Sequence, residues 1–159
     1  MTTNSLLVNR DLCTGCTACF NICPVNAIFL TPNVEGFLYP EVNENLCIDC
    51  KKCIGVCQIH HNWVEKISTQ YSQKLFAAKT KDEGIRKKSS SGGLFTIIAE
   101  HVIKHNGIVY AVKLDEQFNC VHFSINSIND LDKARGSKYV QSYLGSLFND
   151  LQKNLINNK

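Results

Sequence analysis

Apolar positions come first in short bursts and later at helical spacing. SLLV, AIFL and FLYPEV are runs of four to six residues bounded by polar residues or proline, and each predicts a short strand. KLFAAKT predicts one more strand, and the charged segment KDEGIRKK, punctuated by Gly84, predicts a turn. The period then changes. Leu94, Ile97, Ile98 and Val102 recur on one helical face, with Ser89 to Ser91 upstream as N-cap side chains. Gly107 follows Lys104 and His105 where a helix end favours glycine. IVYAVKLD and CVHFSI alternate as strands around a turn at Asp115 and Glu116. SINDLDKAR predicts a short capped helix, and GSKYVQS an extended segment. In the final LGSLFNDLQKNL, Leu144, Leu147, Phe148, Leu151 and Leu155 share one helical face.

This order predicts an α+β chain in three parts: residues 1–62, a connector with one strand at 63–88, and a unit at 89–159 in which helices alternate with strands. The hydrophobic fraction of 44% over 159 residues is that of an ordinary globular chain. No apolar run reaches the ~18–20 residues of a membrane span. MTTNSLLVNRD lacks a basic start followed by an apolar core, so no secretory signal is read. A cytoplasmic location is expected, where thiols stay reduced.

Eight of the nine cysteines sharpen the reading of the first part. CTGCTACFNICP carries Cys13, Cys16, Cys19 and Cys23 before Pro24, and CIDCKKCIGVC carries Cys47, Cys50, Cys53 and Cys57 before Gln58. The same spacing used twice is the ligand pattern of a pair of 4Fe–4S clusters. A zinc site takes four ligands, usually as two separated pairs, whereas each run here has four cysteines of its own. In two-cluster ferredoxins the fourth cysteine of each run serves the other cluster. The expected ligand sets are therefore Cys13, Cys16, Cys19 and Cys57, and Cys47, Cys50, Cys53 and Cys23. Residues 1–62 read as a bacterial-type two-cluster ferredoxin domain with an internal duplication. Phe20, Ile22, Ile28, Ile48 and Ile54 are expected to keep water from the sulfurs. A unit this small has a marginal apolar core, so the clusters act as internal staples. His60 and His61 are read as surface residues, and Cys120 as a buried core thiol.

Charge changes less. The formal net charge of +3 treats the cysteines as neutral. Two loaded clusters at about −2 each bring the chain to about −1. Arg86, Lys87 and Lys88 then read as a solvated loop, and nucleic acid is not an expected partner.

Two later segments offer chemistry. SSSGG at a helix start combines hydroxyls, small residues and free N–H groups at a positive dipole end, which suits an anion. An ordinary cap with turn glycines explains it as well. RGSKYVQS presents Arg135, Lys138, Tyr139, Gln141 and Ser142 after Gly136, and taken alone it reads as an edge strand with outward polar side chains.

The order of these motifs is more specific than any one of them. A double cysteine motif with EGFLYP between its halves, then SSSGGLF, VYAV and RGSKYVQS, resembles the β-subunit family of coenzyme F-420 hydrogenases and dehydrogenases, from about Leu7 to Ser142. The resemblance implies an iron–sulfur flavoprotein in which electrons pass between the clusters and a flavin such as FAD. It also implies hydride exchange between that flavin and a deazaflavin or other organic acceptor. By position it carries Ser90, Ser91, Gly92 and Gly93, with Lys138, Tyr139, Gln141 and Ser142, as flavin-site candidates. It further implies a continuation after KYVQS with another strand, a loop and a C-terminal half. The small α/β unit is accordingly expected to be incomplete here, with a redox partner protein or that C-terminal half as its partner. The alternative is a ferredoxin-like electron carrier with no flavin or catalytic site of its own.

Overall fold

A computed structural model describes residues 7–60 and 74–157. The chain divides into two compact units, Met1–Ser72 and Gln73–Lys159. The secondary structure is α+β, with only antiparallel pairs of strands among the described residues.

In the first unit, a 3-10 turn at Arg10–Leu12 leads to helix α1 (Ala18–Ile22). Strands β1 (Ile28–Pro32) and β2 (Leu38–Val42) follow, then helix α2 (Lys52–Gly55). β1 and β2 form an antiparallel hairpin that pairs Ile28 with Val42, Leu30 with Pro40 and Pro32 with Leu38. Each strand of a two-stranded sheet has a free edge, which is why Pro32 and Pro40 are tolerated here. The loop is closed by Asn33, whose side-chain oxygen accepts from the N–H groups of Glu35 and Phe37 at 3.0 and 2.9 Å. Gly36, at φ 87°, makes the turn. Most of SLLV lies outside the described residues, and Leu7 and Val8 belong to no strand. Arg10 binds Glu41 at 2.5 Å and lies over the Tyr39 ring, fixing the approach to the first cysteine run on β2.

The second unit differs from expectation first at residues 74–80, which belong to no strand. Leu75 and Phe76 are 94% and 84% exposed, so they have no apolar surface to pair against. A backbone bond from the Thr80 N–H to the Gly92 carbonyl, at 2.8 Å, ties this segment down. The expected turn after it is a short helix, α3 (Glu83–Lys87). Asp82 caps it through the Ile85 N–H at 2.9 Å, and the order of acid before base matches the helix dipole. Ser89 does not cap the next helix; its hydroxyl donates to the Ile85 carbonyl and finishes α3.

Helix α4 (Leu94–Lys104) begins instead at Gly93, at φ 79° and without a side-chain cap. At its end Asn106, not Gly107, takes the left-handed conformation. Gly107 is needed for closeness: a Cβ there would lie 2.6 Å from Val102 Cγ1. Strands β3 (Val109–Leu114) and β4 (Cys120–Ile125) form an antiparallel hairpin. A 3-10 turn at Ile128–Asp130, capped by Ser127, runs into α5 (Leu131–Ala134). The core consists of Ala99, Ile125 and Leu131, with Ile103, Val109, Ala111, Phe123 and Ala134 packed against it. Alternation along the hairpin sends these β3 and β4 residues to one face, where α4 and α5 cover them.

GSKYVQS ends beside β4: the Tyr143 N–H donates to the Cys120 carbonyl at 2.7 Å, and Tyr143 accepts from the His122 N–H at 3.0 Å. The last helix, α6 (Leu147–Ile156), lies near β3, where Tyr110 donates to Asp150 and accepts from Asn154 at 2.7 Å. Leu144, Leu147 and Leu151 are half-buried, whereas Phe148 and Leu155 remain exposed. Among the described residues no helix is long and apolar enough to cross a membrane.

Candidate functional site

The two cysteine runs repeat in backbone conformation as well as in spacing. Gly15 and Asp49, each between the first two cysteines of its run, have φ 66° and 51°; Thr17 and Lys51, just after the second, have φ 56° and 58°. These left-handed residues turn the chain sharply, so that successive cysteines face one space. Cys13 and Cys47 each donate a backbone N–H at 3.1 Å to the carbonyl four residues back, at Asn9 and Asn43. Both asparagine side chains then accept an N–H two residues on. The duplication therefore starts before the cysteines. Its signal was present in the sequence as VNRDLC and VNENLC, outside the reach of a reading confined to cysteine spacing.

Two cavities lie against the hairpin. Cys13, Cys16, Cys19 and Cys57 line the first, with Leu30, Leu38 and Pro40 of the hairpin beneath them. Cys47, Cys50, Cys53 and Cys23 line the second, over Ile28 and Val42. Period-two alternation thus assigns one hairpin pair, Ile28 and Val42, to one cavity and the next pair on the same face, Leu30 and Pro40, to the other. Cys53 borders both. Its thiol forms part of the wall between them.

The chemistry of these walls suits a polynuclear cationic core. Burial pushes the Cys19 thiol up to about 12, and neighbouring Cys16, Cys13 and Cys53 push the same way. Burial likewise raises Cys53, with Cys50 and Cys47 adding to it. Thiols so placed repel one another as thiolates, and a cationic core relieves that repulsion. The Ala27 N–H also donates to the Cys23 sulfur at 3.2 Å, a kind of bond that tunes a cluster ligand. Among the described residues no three His, Cys, Asp or Glu side chains converge closely enough to hold a single ion.

Other residues take positions that spacing did not reveal. Gln58, in place of a second proline, donates to the Thr14 hydroxyl at 2.8 Å and joins the end of the second run to the first. His60 is exposed at the rim of the first cavity, and His61 lies outside the described residues. Of the expected water-excluding residues, Ile28 is buried and lines the second cavity with the more exposed Ile48, whereas Ile22 is exposed and lines neither cavity. Helices of four or five residues are too short to turn a whole apolar face inward.

In the second unit a cleft of about 400 Å³ opens at the start of α4. Ser90, Ser91, Gly92 and Gly93 line it from one side, and Arg135, Gly136 and Ser137 from the other. The Ser90 and Ser137 hydroxyls meet across it at 3.3 Å. Arg135 is held in place by Asp132 and by the Thr96 hydroxyl, at 3.1 Å from its Nε. The two glycines are required by packing. A Cβ on Gly92 would sit 2.7 Å from the Ala78 carbonyl oxygen, and one on Gly93 would sit 2.7 Å from Thr80 Cγ2. Lys138, Tyr139, Gln141 and Ser142 do not border the cleft. Lys138 donates to the Ala134, Arg135 and Gly136 carbonyls at 2.9 to 3.1 Å, satisfying the end of α5. Tyr139 is 93% exposed. Arg135 and Ser137, not the residues after them, are what RGSKYVQS contributes.

Comparison with known proteins bears on both units. Residues 12–60 match the model of the 4Fe-4S dicluster domain. Residues 75–149 match that of the coenzyme F-420 hydrogenase/dehydrogenase, beta subunit N-term. The second unit is thus similar to the N-terminal part of that β-subunit, and the first unit to a dicluster domain. No curated protein matches the chain. The dicluster match makes electron transfer through 4Fe–4S clusters the function class of the first unit.

Proposed function

We propose that the chain carries electrons through two 4Fe–4S clusters to or from a flavin such as FAD, as a module of an oxidoreductase. The observation that supports it best is the gathering of eight cysteines around two cavities. The first three cysteines of each run share a cavity with the last cysteine of the other run, and Cys53 borders both cavities. Cys13, Cys16, Cys19 and Cys57 would hold one cluster, and Cys47, Cys50, Cys53 and Cys23 the other. Clusters supply one-electron steps, and a flavin couples such steps to two-electron chemistry. The hairpin residues Leu30, Leu38, Ile28 and Val42 exclude water from beneath the sulfurs. Cys19 and Cys53 stand where the two sites come nearest.

For the flavin, Ser90, Ser91, Gly92 and Gly93 offer hydroxyls and the uncapped N–H groups of α4 beside the Arg135 guanidinium. This combination suits a phosphate, and the cleft's volume falls within the usual range of a ligand site, ~300–1,000 Å³. A second reading, a ferredoxin-like carrier without its own flavin, is favoured by the lining of that cleft, to which Lys138, Tyr139, Gln141 and Ser142 do not contribute.

Anaerobic purification followed by iron, sulfide and flavin analysis tests both. About eight irons and eight sulfides per chain are expected; zinc without sulfide would overturn the cluster assignment. Flavin in neither the chain nor its complex with a C-terminal partner would leave the carrier reading standing alone. Cys57→Ala is expected to destroy the EPR signal of the first-run cluster and spare the second. The opposite loss would overturn the ligand sets.

A further inference from the structure

The internal duplication makes the two cysteine sites a built-in comparison. Their backbones follow the same left-handed turns at Gly15 and Asp49, and at Thr17 and Lys51. The same N–H to carbonyl bonds precede Cys13 and Cys47. Backbone dipoles around the first two cysteines of each run therefore act alike, while the Ala27 N–H on the Cys23 sulfur adds a donor at the second site, in the same sense as the differences in charge and exposure. At the matching positions the first run has Thr17 and Ala18, uncharged, where the second has Lys51 and Lys52. Both lysines line the second cavity; no lysine, arginine or carboxylate lines the first. Asp49, the one acid inside the second run, is exposed and does not border its cavity. Exposure differs in the same sense. Cys50 is exposed, whereas its counterpart Cys16 is half-buried and Thr17 beside it is buried.

We propose that Lys51 and Lys52 make the second-run cluster the higher-potential member of the pair, so that a single added electron rests there. The inference rests on the cluster assignment above. Taking up one electron makes a cluster site one unit more negative. An ammonium nearby and access to water both stabilise that charge, whereas a dry, uncharged wall opposes it. One lysine at the border of a solvent-facing site shifts the reduced-to-oxidised ratio on the order of a few-fold, and less at high salt. In the internal transfer the first-run cluster loses one electron and the second gains it. No bond or proton moves. Lys51 and Lys52 are in this sense positioning residues for the electron.

The test is an EPR-monitored potentiometric titration of the anaerobically purified full chain, with dithionite as the reductant. Two one-electron waves are expected in the wild type. The variant Lys51→Thr with Lys52→Ala gives the second run the residues of the first, and Thr17 demonstrates that threonine accepts this positive φ. It should lower the upper wave by about tenfold in ratio, about 59 mV for a one-electron couple, with iron and sulfide unchanged. Ala18→Lys should raise the lower wave a few-fold. A double variant with full clusters that moves neither wave, or moves the lower one, overturns the inference and leaves the cluster assignment intact. A wild-type chain without iron and sulfide overturns both.

Discussion

The two units achieve order by different means. In the second, Ile125, Leu131 and Ala99 are 0%, 1% and 2% exposed and form a continuous apolar core between a hairpin and two helices. In the first, the buried apolar residues are Ala27 and Ile28 alone among those described, and the helices on either side span only five and four residues. What occupies the middle of that unit is sulfur. An apolar core of two residues supplies far too little burial to offset chain entropy over some fifty residues. The contrast teaches that the first unit's fold and its cofactor are one problem, whereas the second unit's fold stands on side-chain packing.

The largest test of this contrast is removal of the iron. Chelation under anaerobic conditions should abolish amide-exchange protection in β1 and β2 while leaving β3 and β4 protected. Persistent protection in the first hairpin would show that its apolar residues suffice. The converse lesion is Ile125→Ala, which should cost about 2–5 kcal/mol in denaturant unfolding of the second unit. Iron content should not change. A smaller effect is expected of Gly92→Ala, whose Cβ would meet the Ala78 carbonyl oxygen, a backbone atom that cannot swing aside. A loss of about 1–3 kcal/mol is expected, with any flavin binding weakened and the cluster EPR unchanged.

The smallest concerns Asp115, whose carboxylate is held below its usual range, chiefly by the Asn119 N–H and also by the Asn119 side chain and the Gln117 N–H. A lowered folded value means its contribution is present above the unfolded value and lost as pH falls through the folded one. Asp115→Asn should therefore lower the second unit's Tm slightly at about pH 7, with the difference closing as pH falls below the ordinary carboxylate range. Because the group is exposed, the shift should be small, and it should be absent from the first unit.

Legibility followed the range of the interactions involved. The α4 face, the β3–β4 pair and the β1–β2 pair were readable because each is governed by local periodicity. KLFAAKT was not: its composition fits a strand, but a strand exists only where a partner does, and Leu75 and Phe76 find none. Ser89 to Ser91 were equally good caps on paper, yet Ser89 serves the preceding helix, and α4 starts on a glycine whose closeness to Thr80 no local rule could predict. In the candidate flavin site, SSSGG lines a cleft and KYVQS does not. The turn after α5 brings Arg135 and Ser137 there and uses Lys138 to close its own carbonyls.

The sequence by itself determined the number and type of candidate ligands, because thiols two and three residues apart can reach one small space on a tightly turned chain. It also determined the α+β class and the likeness of each unit to a known domain, through an ordered set of short motifs. The repeated spacing also predicted the exchange of Cys23 and Cys57 between the two ligand sets; only the tertiary structure laid both cavities against one hairpin and set Cys53 at the border of both. It alone joined residues 90–93 to 135–137 across a cleft. Those decisions depend on contacts between residues far apart in the chain, where periodicity and spacing carry no information.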